Sequence, residues 1–266
     1  MPAPKKNSIA LTIAGSDSGG GAGIQADLKT FASLGVHGAS AITCITAQNP
    51  KTVSDIEPCS PKMVRAQIEA VFAELRPAVV KTGMLFSAAI IREILKFFKS
   101  ERAVPLIIDP VMIATSGAAL LNANGLKILR RELLPIAMLV TPNLPEAEVL
   151  IGRKICSLEE LRAAAKIIHN LYGCAALVKG GHLRGVNEAI DFFYDGKTEL
   201  MLSAPFVKNV RTHGTGCTYS AAITGYLALG FELPRAVMLA KTYITQAIAQ
   251  SVAVEQHKVL NHFWKG

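Results

Sequence analysis

The sequence predicts an α/β fold, a mostly parallel central sheet flanked by helices. Three observations predict it. Short apolar runs rich in Ile, Val and Leu alternate with longer segments of helical spacing almost throughout. That alternation is the pattern of parallel strands joined by right-handed crossovers. Half of the 266 residues are hydrophobic, enough for a sizeable core, and mean hydropathy is +0.34. No composition break, repeat or low-complexity linker divides the chain, so residues 1–266 read as one domain.

Ser8 to Ala14 reads as a buried strand, followed by a glycine-rich loop from Gly15 to Gly23. Ile24, Leu28, Phe31 and Leu34 then recur at helical spacing, and Gly35 stops that helix. Strand, glycine loop and helix invite a dinucleotide reading. The spacing puts Ile24 where the last glycine of Gly-x-Gly-x-x-Gly belongs, so that fingerprint is rejected. Asp27, one turn into the helix, reads equally as a solvated residue or as a group at the strand's C-terminal edge. His37 to Thr46 is the next strand, and Ala47-Gln48-Asn49-Pro50 ends it. Gln48 is a turn residue or a ligand contact, since open α/β sheets bind ligands at strand C-termini.

Ser60-Pro61 is an N-cap and first-turn pair that starts a helix with Val64, Ile68, Val71 and Leu75 on its core face. Ala78 to Lys81 is a short strand closed by Thr82-Gly83-Met84, and Ala88 to Lys99 is helical. Leu106-Ile107-Ile108-Asp109-Pro110 is a strand ending in a carboxylate. Residues 111–121 form a glycine-containing loop, expected to close over a substrate, before a basic helix from Gly125 to Leu133. Met138 to Val140 leads into Asn143 and Glu146 on one face of a helix start. Glu146 there is a stabilising cap or a Mg²⁺ ligand. Leu158 to Leu171 is helical, and Ala175 to Val178 is a strand closed by Lys179-Gly180-Gly181-His182. Ala189 to Tyr194 and Leu200 to Ser203 make a hairpin about Asp195-Gly196. Gly196-Lys197-Thr198 imitates the tail of a Walker A loop, but Asp191 stands where its first glycine is required. Pro234 to Ser251 is a long closing helix.

The stretch from Arg211 to Thr218 opens directly into a helix from Tyr219 to Leu229. Its glycines bring backbone N–H groups close to a ligand, and the helix start adds free N–H groups and a positive dipole end. Together they make an anion hole suited to phosphate. Cys217 sits inside that hole, where a thiol pKa is expected below its free value of about 8.5. Asp27, Gln48, Asp109, Glu146, Lys179 and Cys217 all fall at or just past strand ends, so they converge on one edge of the sheet.

A net charge of +8 suits an anionic ligand. The Lys and Arg residues are scattered and aromatics make up only 6%, which argues against nucleic acid. The five cysteines are odd in number and lack C-x-x-C, so neither a disulfide framework nor a zinc site is indicated. That usage fits a reducing cytoplasm. Lys5 and Lys6 precede an apolar run, Ile9 to Ala14, too short for a signal peptide, and no apolar stretch is long enough to span a membrane.

The segment Ala14-Gly15-Ser16-Asp17 through Gly20-Gly21-Ala22-Gly23-Ile24-Gln25-Ala26-Asp27-Leu28-Lys29-Thr30-Phe31 resembles the opening of hydroxymethylpyrimidine (phosphomethylpyrimidine) kinases. Thr46-Ala47-Gln48-Asn49, Lys81-Thr82-Gly83-Met84-Leu85, Asp109-Pro110-Val111-Met112, Thr141 to Ala147, Lys179-Gly180-Gly181-His182 and His213 to Thr218 resemble the family's other motifs, in the family's order. The tail Glu255 to His262 departs from it, lacking the usual Gly-Pro segment before a His.

The resemblance implies a ribokinase-like three-layer sandwich and a cytoplasmic homodimer. It implies ATP as co-substrate, Mg²⁺ as cofactor, and two phosphorylations of a pyrimidine alcohol in thiamine biosynthesis. Carried over, Gly15, Asp27, Gln48, Met84 and Val111 line the substrate pocket, with Gln48 reading the aminopyrimidine edge. Lys179, Asn143, Asp109 and Thr212 serve the nucleotide, and Glu146 with Asp109 organises Mg²⁺. Gly214, Thr215, Gly216 and Cys217 form the catalytic anion hole, with Cys217 as proton acceptor. A pyridoxal or pyridoxine kinase of the same superfamily is the alternative. A hydroxyethylthiazole kinase shares Gly-Thr-Gly-Cys but not the Asp17 to Phe31 stretch. A non-catalytic pyrimidine sensor is the reading from another class, and the intact Asn143, Glu146 and Cys217 argue against it.

Overall fold

A computed structural model describes residues 8–101, 103–112, 120–181, 183, 185–207 and 213–264. The first half runs β1 (Ile9–Asp17), α1 (Gly23–Ser33), β2 (His37–Gln48), β3 (Val53–Pro58), α2 (Pro61–Glu74), β4 (Val79–Thr82), α3 (Ala88–Ser100) and β5 (Leu106–Ile108). The second half runs α4 (Ala123–Ile128), β6 (Leu139–Val140), α5 (Leu144–Ile151), α6 (Leu158–Tyr172), β7 (Ala175–Lys179), β8 (Glu188–Tyr194), β9 (Glu199–Pro205), α7 (Thr215–Ala228) and α8 (Leu233–Ala249). A small hairpin of β10 (Val252–Val254) and β11 (His257–Val259) follows.

The strands from β1 to β9 form one sheet in the order β3-β2-β1-β4-β5-β6-β7-β8-β9. The pairs from β2 through β7 are parallel, while β3, β8 and β9 join antiparallel. β1 has β2 on one side and β4 on the other, so the strand order reverses there. Such a switch point opens a crevice at the C-terminal ends of the strands.

Side chains alternate between two apolar layers because successive residues of a strand face opposite ways. Leu11, Ile13, Val80, Ile108 and Val140 pack with residues of α2 to α6 on one face. Ala10, Val79, Ile107 and Leu139 pack with α1, α7 and α8 on the other. The result is the three-layer α/β sandwich. On α3 the stripe Ile90, Ile91, Ile94, Phe97 and Phe98 is buried, each side chain contributing about 1.5–3 kcal/mol by leaving water. α7 is buried nearly all round, and a Cβ on its Gly225 would stand 2.7 Å from Leu34 Cδ1. That glycine lets α7 lie close against the end of α1.

Helix starts follow the local sequence signals. Ser60 Oγ accepts from Met63 N at 3.2 Å ahead of Pro61, and Ser157 and Glu160 form a reciprocal capping box. Three elements differ from the sequence reading. β1 runs on through Gly15 to Asp17, pairing Ser16 and Asp17 with Ile45 and Thr46 beyond a bulge. β3 is an additional edge strand whose mostly exposed residues leave no apolar alternation to detect. The closing helix stops at Ala249, and the β10–β11 hairpin takes up the tail.

A buried ion pair ties α8 to the sheet. Lys241 Nζ lies 2.7 Å from Asp191 Oδ2 and donates to the Ala189 carbonyl, while Asp191 Oδ1 accepts from Gly180 N at 3.0 Å. Lys241→Met leaves the Asp191 charge buried and alone. The expected loss is roughly 3–5 kcal/mol in urea unfolding. A loss under about 1 kcal/mol overturns this account of the pair.

Candidate active site

Strand ends and two glycine turns assemble the site. Asp17 closes β1 and its carboxylate organises the loop behind it. Oδ1 accepts from Gly19 N at 2.8 Å, and Oδ2 accepts from Gly21 N at 3.0 Å and Ala22 N at 2.8 Å. Gly214, with φ of +86°, packs its backbone onto this loop; a Cβ there would lie 1.7 Å from Gly21 O. Gly23 has the same constraint, a Cβ falling 2.4 Å from Gly15 O. Only glycine permits both the positive φ and the contact. The turn at His213 and Gly214 then delivers Thr215, Gly216 and Cys217 as the first turn of α7, with the dipole's positive end at the crevice.

Charged groups of alternating sign surround that helix start. A Cβ on Gly216 would stand 3.2 Å from Lys179 Nζ, so the ammonium faces the α7 N-terminus. Lys179 Nζ lies 3.1 Å from Asp109 Oδ1, and Asp109 also accepts from Thr141 Oγ1 at 3.3 Å and Ser220 Oγ at 3.2 Å. Burial raises the Asp109 carboxyl, but Lys179 and Lys81 lower it further, leaving it below the usual carboxylate range. Burial alone depresses Lys179, yet Asp109 and Glu146 hold it above its ordinary value.

Asn143 and Glu146 cap α5 reciprocally. Asn143 Oδ1 accepts from Glu146 N at 2.9 Å, and Glu146 Oε2 accepts from Asn143 N at 2.8 Å. The capping reading of Glu146 is therefore realised, and its burial adds a second property. Loss of water, reinforced by the nearby Asp109, pushes its carboxyl up to about 7, with Lys179 opposing. Two buried carboxylates that repel one another fit a hard divalent cation such as Mg²⁺, which binds through one or two carboxylates plus phosphate oxygens and water.

Under Cys217 lies a fully buried polar cluster. Thr12 and Lys81 are cross-strand partners on β1 and β4. Asp27 reaches them from α1, accepting from Lys81 Nζ at 2.8 Å on both oxygens and from Thr12 Oγ1 at 2.6 Å. Burial raises the Asp27 carboxyl, and Lys81 and Thr12 pull it part of the way back. Burial lowers Lys81, but Asp27 above all, with Cys217 and Asp109, holds it above its ordinary value. Asp27 is therefore neither the solvated residue nor an open contact for a substrate ring; both its oxygens are engaged in the floor.

Gly15, Met84 and Cys44 meet beside the crevice. A Cβ on Gly15 would lie 2.8 Å from Cys44 Sγ and 3.6 Å from Met84 Sδ. Gln48 ends β2 at the rim, its amide 2.6 Å from His213 Nε2. Val111 follows Asp109, its N–H bonded to the Asp109 carbonyl at 2.8 Å, in the wall next to Gly83 and Leu121. Thr212, His182 and residues 113–119 of the expected closing loop lie outside the described residues. In the tail, His262 is buried with Nε2 3.1 Å from Thr218 Oγ1, and burial together with Lys29 pulls its pKa down to about 4. The atypical tail thus reaches the first turn of α7.

One expectation is reversed. The helix N-terminus was expected to acidify Cys217. Loss of water, with Asp27 and Asp109 close by, instead pushes the thiol up to about 12 against the pull of Lys81. Sequence reading also assigned no part to Lys81, Thr12, Asp17, Ser220 or His213. Lys81 carried a signal, a lysine inside an otherwise apolar strand whose neighbours are all buried.

An anion-binding helix start facing a lysine and two carboxylates, with an apolar wall and a polar amide across the crevice, suits a flat alcohol and a phosphate donor together. The class that the fold and this arrangement define is the ribokinase-like small-molecule kinases. The chain belongs to the phosphomethylpyrimidine kinase family, whose sequence profile matches residues 17–262. A Rhizobium meliloti hydroxymethylpyrimidine/phosphomethylpyrimidine kinase is 51% identical over 251 residues, 93% of this chain and 92% of that one. A Clostridium difficile phosphomethylpyrimidine kinase structure superposes with TM-score 0.80 at 45% identity, covering 91% of this chain and all (100%) of the other. A Staphylococcus aureus pyridoxal kinase, solved with AMP-PCP and pyridoxal, superposes with TM-score 0.88 at 35% identity, covering 98% and 95%. The chain is accordingly a phosphotransferase.

With a pKa near 12, about one Cys217 in 10⁴ is thiolate at pH 8. Iodoacetamide at pH 8, followed by peptide mass spectrometry, is expected to label the exposed Cys156 far ahead of Cys217. Cys217 reacting first overturns the raised pKa.

Proposed function

We propose that the chain phosphorylates 4-amino-5-hydroxymethyl-2-methylpyrimidine with ATP and then converts the monophosphate to the diphosphate, in thiamine biosynthesis. The observation that carries this reading is the placement of Lys179 and Asp109 against the α7 N-terminus, across the switch-point crevice from Gln48. Phosphoryl transfer needs alignment and charge neutralisation more than covalent chemistry. The amides of Gly214 to Cys217 receive the transferring phosphoryl oxygens, and Lys179 adds a fixed positive charge beside them. Asp109 and Glu146 are the residues that would hold Mg²⁺, which would neutralise phosphate charge there. Asn143 keeps the Glu146 backbone in place through the cap, and the family resemblance assigns Thr212, with Lys179, to the nucleotide. Gln48 reads the amino group and ring nitrogen, while Gly15, Met84 and Val111 line the ring's apolar surround. Asp27 acts through the floor, where it holds Lys81 under Cys217. Cys217 takes the alcohol proton at its Sγ only as the thiolate, so its own proton first leaves to solvent; the raised pKa makes that thiolate scarce but strongly basic.

A coupled ADP-release assay offering the pyrimidine, its monophosphate and pyridoxal tests the reading. Turnover is expected with both pyrimidines, and turnover with pyridoxal alone overturns it. In the same assay Cys217→Ala is expected to lose ~10²–10⁴-fold in kcat, the usual worth of a general base. Glu146→Gln is expected to need more Mg²⁺ for half-maximal rate; an unchanged Mg²⁺ titration leaves Glu146 as a cap only.

In this reading residues 1–266 form one kinase domain that acts in the cytoplasm as a homodimer. Light scattering is expected to give twice the 28.3 kDa chain mass. The monomer mass removes the dimer.

A further inference from the structure

The imidazole of His213 touches three segments of the site. Its Nε2 lies 3.2 Å from Asp17 Oδ2 at the end of β1 and 2.6 Å from the Gln48 amide at the end of β2. Its ring covers Gly21, where a Cβ would stand 3.1 Å from Cδ2. Its own backbone leads directly into Gly214 and α7.

The proton positions along this chain of groups follow once Asp17 Oδ2 accepts a hydrogen bond from His213 Nε2. Burial raises the Asp17 carboxyl, but His213 and the amides of Ala22 and Gly19 lower it further, so it is an acceptor only. A ring nitrogen facing that carboxylate brings a proton, whether the imidazole is neutral or cationic. The structure sets Gln48 Nε2 against His213 Nε2, donor against donor once Nε2 carries a proton; turning the amide by 180° puts its carbonyl oxygen there instead. The other end of the amide lies 3.2 Å from Thr46 Oγ1. Thr46 has one hydroxyl proton, and the Ser16 carbonyl takes it at 2.8 Å. Thr46 Oγ1 therefore accepts, and the Gln48 NH₂ donates to it. In this arrangement Asp17 and the Gln48 carbonyl share the single Nε2–H of His213, while Thr46 and Ser16 are matched.

We propose that His213 is a positioning residue that fixes the rotational state of the Gln48 amide and so sets the donor–acceptor order demanded of the substrate ring. The inference rests on Gln48 as the reader of that ring. An amide turned by 180° keeps its shape and reverses its order of donor and acceptor. The aminopyrimidine presents an amino donor beside a ring-nitrogen acceptor. Its deaminated 4-oxo analogue presents an oxygen acceptor beside a ring N–H donor. The two rings share one outline and carry opposite codes, so an apolar pocket cannot separate them by shape. The locked amide separates them, because turning it leaves Nε2–H of His213 facing an NH₂. Two donors set against each other at this half-buried contact shift an equilibrium by roughly tenfold.

The experiment compares wild type, His213→Phe, His213→Gln and Gln48→Ala on the pyrimidine alcohol and its 4-oxo analogue. The readout is kcat/KM from ADP release, or a competitive inhibition constant where turnover of the analogue is too slow. Thermal melts establish folding, and His213→Leu replaces His213→Phe should the latter not fold. Phe keeps a ring of similar size without an N–H. The wild-type preference for the amino ring is expected to fall by about tenfold or more in that variant. The 4-oxo analogue improves in absolute terms, mainly through KM. Damage to the fold lowers both substrates and cannot produce that gain. Gln retains an N–H directed at Asp17, and the wild-type preference is expected to return. A folded His213→Phe variant that keeps the wild-type preference, while Gln48→Ala loses it, overturns the role of His213 and leaves Gln48 as reader. An unchanged preference in Gln48→Ala overturns the ring-reading assignment itself.

Discussion

The glycine loop after β1 and the turn before α7 meet backbone to backbone, and the functional groups take their places from that contact. With Gly21 O where a Cβ of Gly214 would be, no side chain fits between the two segments. The contact brings the α7 N-terminus over the C-terminal ends of β1 and β4, where the strand order reverses. The carboxylate of Asp17 is the internal support of this arrangement, satisfying loop amides that would otherwise be left without partners. Backbone and carboxylate together form a rigid cradle, and rigidity is what an electrostatic site requires.

Around that cradle the protein stacks charges in pairs. Asp27 with Lys81 forms the floor, and Asp109 with Lys179 forms the wall. Each lysine carries a positive charge into a place without water because a carboxylate comes with it. Among the described residues Glu146 has no lysine to itself, and its carboxyl is pushed up to about 7. The unbalanced position is therefore the one suited to a mobile cation. Cys217 is subject to the same arithmetic: with two carboxylates and little water near it, the dipole of α7 does not determine its protonation.

The layers and the convergence on one sheet edge were legible in the sequence because they depend on local rules. Apolar periodicity set the faces, and Ser60-Pro61 and Asn143-x-x-Glu146 announced helix starts that the structure contains. Edge strand β3 was illegible because an exposed, polar strand has no buried face to impose alternation. The pairing of Asp27 with Lys81 was illegible because it joins a helix to a distant strand, and neither neighbourhood encodes the other. The sign of the Cys217 shift was misread for a related reason. A helix start is visible locally, whereas desolvation depends on everything packed above it.

The order in which the chain is made runs against the order in which the site closes. β1 and its glycine loop are synthesised first and lie in the middle of the sheet, whereas α7 comes from the last quarter of the sequence. The Gly21–Gly214 contact thus joins early and late segments, and closing so long a loop is entropically slow. Until α7 arrives, α1 alone covers the face of β1 that bears Thr12 and of β4 that bears Lys81. A nascent chain of this design holds a half-covered sheet face, with Asp27 and Lys81 paired on it, during most of its translation. Buried lysine and threonine within that face make it a poorer template for self-association than an all-apolar one. The same cluster that sits beneath the finished site thereby protects the unfinished protein.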